Sequence, residues 1–249
     1  DATKYILIGG ASQNGAIQYS NTGLYIKFHN LQIANNNYYV FRGPDGSGAH
    51  YIDIYNCIIK RGTKTGLCVA FSIASGGTFK IYNNIIYGFA TESSGYVISA
   101  CDYAVTIYAE NNTMDNNDYG FNIGTTTNVV VTAINNIGRG SGNTNAYVGT
   151  KFVSSDYNAT NGTDTGDGGA NSIQSGTFTF VDSSNADLTL RDYHLTSGAT
   201  SAIDTSGRSS SVNIGFTNDI DGVTRSGTWD IGADEFVAAG GARRVIFIN

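Results

Sequence analysis

Apolar and polar residues alternate in short segments that recur along the first 150 residues of the chain. Three segments share one pattern, Tyr25–Asn30, Tyr51–Asn56 and Thr78–Asn83, and two weaker copies follow, Thr106–Asn111 and Val130–Asn135. Their final asparagines are separated by 26, 27, 28 and 24 residues. Because alternation with a period of two places successive side chains on opposite faces, each copy predicts a β-strand with one apolar face.

Two more short apolar runs follow each copy, and bends rich in glycine and asparagine separate them. Ile58-Ile59 and Ile85-Ile86 represent the second run, and Leu67–Val69 and Tyr96–Ile98 represent the third. Three strands and three bends in about 26 residues predict one coil of a β-solenoid, with coils stacked about 4.8 Å apart. We expect the recurrent asparagines to adopt the left-handed conformation at the coil corners, where their side chains can hydrogen-bond along the stack.

The second half of the chain loses this regularity. Residues 154–176 are dense in Gly, Asn, Asp and Thr and predict a long loop, and strands resume at 177–181 and 188–190. We therefore predict one domain over 1–236, in which 154–236 forms irregular last coils and a cap that covers the open end of the solenoid. Residues 237–249 predict a Gly/Ala hinge and a terminal strand, which would pair with its own chain or join copies of the chain into a homo-oligomer.

The composition agrees with this fold and excludes several functions. Charged residues make up 14% of the chain, against about 25% in typical globular domains, as expected where like charges on stacked strands would lie about 4.8 Å apart. The net charge of −6 and the scarcity of paired basic residues argue against binding to nucleic acid or to anionic membranes. The sequence contains no apolar run of about 18 residues, so it predicts no membrane-spanning helix.

The three cysteines, Cys57, Cys68 and Cys101, lack the spacing of a metal site. Buried thiols are the expected state, because an unpaired cysteine packs as a small hydrophobic residue. A disulfide between Cys57 and Cys68 is the alternative.

The outward positions of the repeated strand stack into two columns that carry candidate functional side chains. One column contains Lys27, Asp53, Lys80, Tyr108 and Thr132, and the other contains His29, Tyr55, Tyr82, Glu110 and Ile134. Aromatic rings can stack on sugar faces, and charged groups can orient hydroxyls or uronate carboxylates. The alternative interpretation is a solvated ladder of charges and β-forming tyrosines without a ligand.

The repeat over residues 25–150 resembles the right-handed parallel β-helix, or pectate-lyase-like, superfamily. Residues 192–198, Ser201–Asp204 and 219–235, with the motifs Asp-Ile-Asp-Gly and Asp-Ile-Gly-Ala-Asp-Glu, resemble the C-terminal segment of choice-of-anchor β-helix repeat proteins. The resemblance implies an all-β, single-stranded right-handed parallel β-helix with an irregular C-terminal cap. It also implies an extracellular location, secreted or on the surface of a cell or virion. The superfamily contains lyases, glycosidases, adhesins and viral tail spikes, so the fold does not select one function.

Two functions remain open at this stage. The first is a non-catalytic structural or adhesive module that binds a polysaccharide or cell-surface glycan along the outward Tyr/Lys face, with Lys27, Asp53, Tyr108 and Glu110 in contact with the ligand. The alternative is a polysaccharide lyase that carries out β-elimination on an acidic glycan. In a lyase, Lys80 would be the base and Tyr82 or Tyr55 the proton donor, with His29 beside them. The first is preferred, because the Asn-Thr-Asp, Asp-Asp, Gly-His-Gly and Arg-Ile-Lys motifs of polygalacturonase-like members are absent.

The sequence predicts no metal site and no cofactor. The three histidines, His29, His50 and His194, occupy unrelated positions of the repeat, which disfavours zinc. Calcium has two weak candidates, the turn at 219–222 and the loop that contains Asp164 and Asp167. For the first turn, the alternative is a structural role in which the aspartates bind backbone N–H groups and Arg225.

Overall fold

The fold is described from a computed structural model. The described residues are 6–9, 16–18, 23–35, 38–43, 46–62, 68–73, 75–90, 95–100, 104–123, 128–140, 147–148, 152–162, 169–186, 191–203 and 207–238. In these ranges the regular elements are all β-strands. No helix in them is long and apolar enough to cross a bilayer.

Three parallel sheets form the walls of the solenoid. The seven-stranded sheet contains, in spatial order, β1 (Ile6–Gly9), β4 (Gln32–Asn35), β7 (Ile58–Arg61), β10 (Ile85–Tyr87), β13 (Thr113–Asn117), β16 (Ile137–Gly140) and β18 (Ala159–Thr160). The six-stranded sheet contains β17 (Tyr147–Val148), β14 (Tyr119–Ile123), β11 (Gly95–Ala100), β8 (Cys68–Ile73), β5 (Tyr39–Arg42) and β2 (Ile17–Gln18). The five-stranded sheet contains β15 (Val129–Ile134), β12 (Val105–Glu110), β9 (Ser75–Tyr82), β6 (Gly46–Tyr55) and β3 (Tyr25–His29).

The chain visits the three sheets in a fixed order from β1 to β15, so each strand pairs with the strand three elements away. Ile52, for example, pairs in register with Ile26 on one side and with Phe79 on the other. This is the topology of a β-solenoid, and the predicted fold class, an all-β parallel β-helix, is confirmed. A separate antiparallel pair, β19 (Phe180–Asp182) and β20 (Asp192–Leu195), follows the solenoid.

The recurrent asparagines lie at the corners between the five-stranded and seven-stranded sheets, and their predicted conformation is confirmed. Asn30, Asn56, Asn83, Asn111 and Asn135 have φ angles of 56°, 52°, 51°, 52° and 56°. This is the left-handed region, which asparagine tolerates better than most residues do.

The hydrogen-bonded ladder along the stack is formed mainly by the asparagines that follow Asn83, Asn111 and Asn135, and by Asn158 on the next coil. Its members are Asn84, Asn112, Asn136 and Asn158, which are buried. The Oδ1 atom of Asn112 accepts hydrogen bonds from the backbone N–H and from the side-chain amide of Asn84, at 3.1 and 3.0 Å. The Asn112 amide donates in turn to Ile81 O and to Asn136 Oδ1, at 2.7 and 2.9 Å. Each ladder amide thus joins neighbouring coils inside the corner.

The interior of the solenoid is a continuous apolar core filled from all three sheets. Phe41 and Phe71 stack across successive coils, and Phe28 packs against Phe41 with a tilted ring; the centroids are 5.2 Å apart in both contacts. Cys57 is a buried thiol whose Sγ atom lies 3.2 Å from the carbonyl oxygen of Tyr55. This agrees with the expected buried thiol, whereas Cys101 and the side chain of Cys68 lie outside the described part of the structure.

A second apolar cluster lies on the outer face of the seven-stranded sheet. Ile58, Ile85, Tyr87 and Ile137 point outward there and pack against side chains of the C-terminal part, which include Phe178, Phe180, Tyr193 and Leu195. The middle strand of this sheet, β10, is therefore buried on both faces. That explains why the second run of each repeat is continuously apolar instead of alternating.

Residues 207–236, which we call the C-terminal segment, contact the side of the solenoid along the corner asparagines. The side-chain amides of Asn83, Asn111 and Asn135 donate to backbone carbonyls of this segment, at Asn218, at Asp230 and Gly232, and at Arg208. These contacts lie along the wall of the solenoid, and the cap over its open end stays a prediction. The irregular last coil is present as β18 and as isolated bridges at Phe152, Asp156 and Ile173.

Some predicted features lie outside the described residues. They are the strand at 188–190, the loop with Asp164 and Asp167, and the terminal strand at 243–249. Of the strand predicted at 177–181, only Phe180 and Val181 lie in a strand, β19, and residues 177–179 have no regular secondary structure.

Candidate functional site

The outer face of the five-stranded sheet carries the predicted columns. The strand register places Lys27, Asp53 and Lys80 beside one another, and it places His29, Tyr55 and Tyr82 in the neighbouring column. A third outward column, which the sequence analysis did not consider, contains Tyr25, Tyr51, Thr78, Thr106 and Val130. Three of its members are exposed, Tyr25 at 63%, Tyr51 at 53% and Val130 at 39%.

The rings of the histidine column stack on one another along the solenoid. The centroids of His29 and Tyr55 are 5.0 Å apart, those of Tyr55 and Tyr82 are 4.7 Å apart, and the rings are within 9° of parallel. Phe216 of the C-terminal segment continues the stack 5.0 Å beyond Tyr82. Because each inner ring has neighbours on both faces, Tyr55 and Tyr82 present their edges to solvent. The exposed rings of Tyr25 and Tyr51 are therefore better placed to stack on a sugar than those of Tyr55 and Tyr82.

Asp53 lies within a small polar group at the first two coils of this sheet. The Tyr25 hydroxyl donates to Asp53 Oδ2 at 3.1 Å, and Lys27 Nζ lies 3.9 Å from the same oxygen. The ammonium of Lys27 also lies 5.4 Å from the centroid of the Tyr25 ring. The hydrogen bond with Tyr25 and the nearby negative charge raise the pKa of Lys27, so this side chain is a cation at neutral pH.

Glu110 was predicted to contact a ligand, but the C-terminal segment covers it. Its side chain is buried, with 1% of the residue exposed. The carboxylate accepts hydrogen bonds from Ser211 Oγ at 2.6 Å and from the backbone N–H groups of Val212 and Asn213 at 3.3 and 3.0 Å. Glu110 therefore anchors the segment to the sheet.

This geometry gives a test of the role of Glu110. Replacing Glu110 by glutamine removes the charge and one of the two acceptor oxygens, and should weaken the local docking by about 1–2 kcal/mol. We expect the amides of Val212 and Asn213 to exchange with deuterium faster in Glu110→Gln than in the wild type. Unchanged exchange of these amides would contradict the anchoring role.

The residues named for a lyase are only partly suited to one another. Lys80 and Tyr82 leave β9 on the same outer face, and Tyr82 lies between Tyr55 and Phe216. Burial raises the pKa of Tyr82, which keeps its phenol protonated. Tyr108 is half-buried and Thr132 is buried. A protonated phenol is suited to be a proton donor. The carboxylate of Glu110, however, is covered by the C-terminal segment and cannot contact a substrate at this face.

A second polar cluster, which the sequence did not predict, surrounds His194 of β20. Its Nδ1 atom contacts Asp192 Oδ1, and its Nε2 atom lies 2.6 Å from Asp221 Oδ2. Burial disfavours the imidazolium, but the hydrogen bonds with Asp192 and Asp221 outweigh it and raise the pKa of His194 to about 10. Burial also raises the pKa of Asp234, which lies nearby, to about 7.

Beside this cluster, Arg225 binds the end of the C-terminal segment to the corner of the solenoid. Its side chain is fully buried, and it contacts Glu235 Oε2 at 2.8 Å and Asn83 Oδ1 at 3.3 Å. Burial lowers the pKa of Arg225 and raises the pKa of Glu235 to about 7. Asp219 Oδ1 accepts the N–H groups of Asp221 and Val223. The turn at 219–222 is thus held by its own aspartate, as the structural interpretation of this motif expects.

Comparison of the chain with family models, with curated proteins and with solved structures gave no significant match. The structure establishes the parallel β-solenoid.

Proposed function

We propose that the protein is a non-catalytic β-solenoid module that binds an acidic polysaccharide along the exposed part of the five-stranded sheet. The ligand would lie across the Tyr/Lys strip, which we define as Tyr25, Lys27, His29, Tyr51, Lys80 and Tyr108. The observation that carries the proposal is the exposure of Tyr25 and Tyr51 beside Lys27 on one flat sheet. Large apolar side chains that are exposed together commonly mark a binding surface.

The charge of the strip favours an acidic ligand. The chain as a whole carries a net charge of −6, whereas this strip carries Lys27 and Lys80 and only the buried Asp53, which Lys27 already partly neutralises. Charged groups arranged in this way orient an oppositely charged ligand and increase its association rate. A uronate-containing chain supplies carboxylates for the lysines and pyranose faces for the exposed tyrosines.

The spacing of the strip suits a linear polymer. Equivalent residues on neighbouring coils are about 4.8 Å apart, a distance similar to the advance of one sugar along an extended chain. A polysaccharide lying parallel to the solenoid axis would therefore meet a tyrosine or a lysine on successive coils. The resemblance of the sequence to pectate-lyase-like and choice-of-anchor β-helix proteins supports the same proposal, and with it an extracellular or surface location.

Affinity electrophoresis tests this function. We expect migration of the protein to be retarded in gels that contain alginate, pectate or chondroitin sulfate, relative to a gel without polysaccharide. Tyr51→Ala and Lys27→Ala should each weaken the binding about tenfold, which corresponds to about 1.4 kcal/mol. Val181→Ala and Lys60→Ala, on other surfaces, are the matched controls and should migrate as the wild type does. Equal migration of the wild type in all gels would reject the proposal.

The lyase alternative has a separate assay. Lys80 and the protonated phenol of Tyr82 lie on the same sheet face, which is the arrangement that β-elimination on a uronate would use. Incubation with the same polysaccharides, with and without calcium, would then produce the ultraviolet absorbance of an unsaturated uronate. Growth of this signal, abolished in Lys80→Ala, would replace the binding function by catalysis. A flat trace together with retarded migration is the result that we expect.

A further inference from the structure

Three side chains of the C-terminal part of the chain bring metal-ligating atoms together. They are His194 on β20, Asp221 in the turn at 219–222 and Asp234, and their ligand atoms all lie within 4.8 Å of one another. His194 Nε2 and Asp221 Oδ2 are 2.6 Å apart. These residues are 13 to 40 positions apart in the sequence, so the fold is what assembles the group.

The surrounding hydrogen bonds hold each of these side chains in place. Asp192 contacts His194 Nδ1, which directs Nε2 toward Asp221 and Asp234. A carboxylate on the far nitrogen is the usual companion of a metal-binding histidine, because it fixes the tautomer and the orientation of the ring. Asp234 accepts the backbone N–H of Leu195 through Oδ2 at 2.7 Å, which fixes this carboxylate beside β20.

The group contains more carboxylates than basic side chains. Three carboxylates, from Asp192, Asp221 and Asp234, surround a single imidazole, and Asp234 is only 4% exposed. Buried charges are normally paired or coordinate a metal, because an uncompensated buried charge is costly.

We propose that His194, Asp221 and Asp234 bind a divalent transition-metal ion of the zinc class, with Asp192 as the residue that positions His194. One imidazole nitrogen and two carboxylates form a donor set of the zinc type, in which water completes the coordination. Calcium and magnesium prefer sites made of oxygen atoms alone. On binding, the metal replaces the proton on His194 Nε2, and that proton is released to the solvent.

The proposed ion would join β20, through His194, to the C-terminal segment, through Asp221 and Asp234. It would thereby stabilise the packing of both on the solenoid. Asp192 and His194 also line a small, partly open cleft beside Ile58, Ile85 and Tyr87, which gives these two residues contact with solvent. This inference does not depend on the glycan-binding function.

Calorimetry tests the proposed site directly. The full chain is treated with EDTA, exchanged into a buffer that does not chelate metals and titrated with Zn²⁺. We expect one saturable site per chain, and we expect Asp221→Asn and Asp234→Asn to weaken it at least tenfold. Asp156→Asn removes a carboxylate elsewhere in the chain and is the matched control, with unchanged binding. Absence of saturable binding to the wild type, or equal binding by all four proteins, would overturn the proposal.

A measurement on the wild type alone covers the case in which the variants do not fold. Nitrogen NMR of the histidine side chains distinguishes a metal-bound Nε2 from an imidazolium. We expect a stoichiometric amount of Zn²⁺ to move the Nε2 signal of His194 to that of a metal-bound nitrogen. If the His194 signals are unchanged in the presence of Zn²⁺, the group is an ion-pair cluster and the proposal is wrong.

Discussion

Replacement of Asn112 by alanine is expected to lower the free energy of unfolding by about 3–5 kcal/mol. Asn112 is 1% exposed and is hydrogen-bonded to the coils before and after it. Alanine would leave the N–H groups of Asn84 and the carbonyl of Ile81 without their partner, and these groups are buried where water cannot replace it. The substitution also leaves a cavity in the corner.

Urea denaturation followed by circular dichroism measures this effect. The matched control is Asn128→Ala, because the side chain of Asn128 is exposed. The control should change the free energy of unfolding by no more than about 0.5 kcal/mol. If both variants unfold at the wild-type midpoint, the asparagine ladder does not stabilise the stack.

Replacement of Arg225 by methionine should release the C-terminal segment from the solenoid. The guanidinium is fully buried and donates to Glu235 and to the carbonyl oxygens of Asp230, Gly232 and Ala233. Removing one partner of a buried ion pair leaves the other buried and uncompensated, which commonly costs about 3–5 kcal/mol. We expect the loss to appear first as undocking of residues 207–236.

The single tryptophan of the chain, Trp229, reports on this undocking. Its ring is buried and contacts both Phe216 and the Arg225 guanidinium. In Arg225→Met we expect a red shift of the emission and easier quenching by acrylamide. Arg208→Met, in the same segment, is the control and should keep the wild-type spectrum. A buried Trp229 with unchanged stability in Arg225→Met would contradict the proposed role of this arginine.

The solenoid could be predicted from the sequence because its determinants are local and repeated. Alternation within Tyr51–Asn56 is sufficient to define a strand, and the next copy along the chain gives its neighbour and its register. The corner conformation also follows from residue type, since Asn56 and Asn83 tolerate the left-handed region that a corner requires. The ladder was predicted at the corner asparagines, such as Asn83, but the next residue, such as Asn84, forms most of it. The repeat does not show which of two adjacent asparagines points into the coil.

The candidate site could be predicted only in part, because much of it depends on an aperiodic segment. The columns of Lys27 and His29 follow from the strand register. The burial of Glu110 depends on Ser211, which is 101 residues away and belongs to no repeat. His194 and Asp221 likewise come together because the parts of the chain that carry them pack on the seven-stranded sheet. Their spacing in the sequence does not reveal this contact.

The central functional claim is that the exposed tyrosines of the five-stranded sheet contact a polysaccharide. Hydroxyl-radical footprinting with mass spectrometry, in the presence and absence of an acidic polysaccharide, tests it most directly. The account predicts that oxidation of Tyr25 and Tyr51 falls when the polysaccharide is added, while oxidation of exposed residues elsewhere, such as Val181, stays constant. Unchanged oxidation of both tyrosines in the presence of a polysaccharide that binds the protein would contradict it.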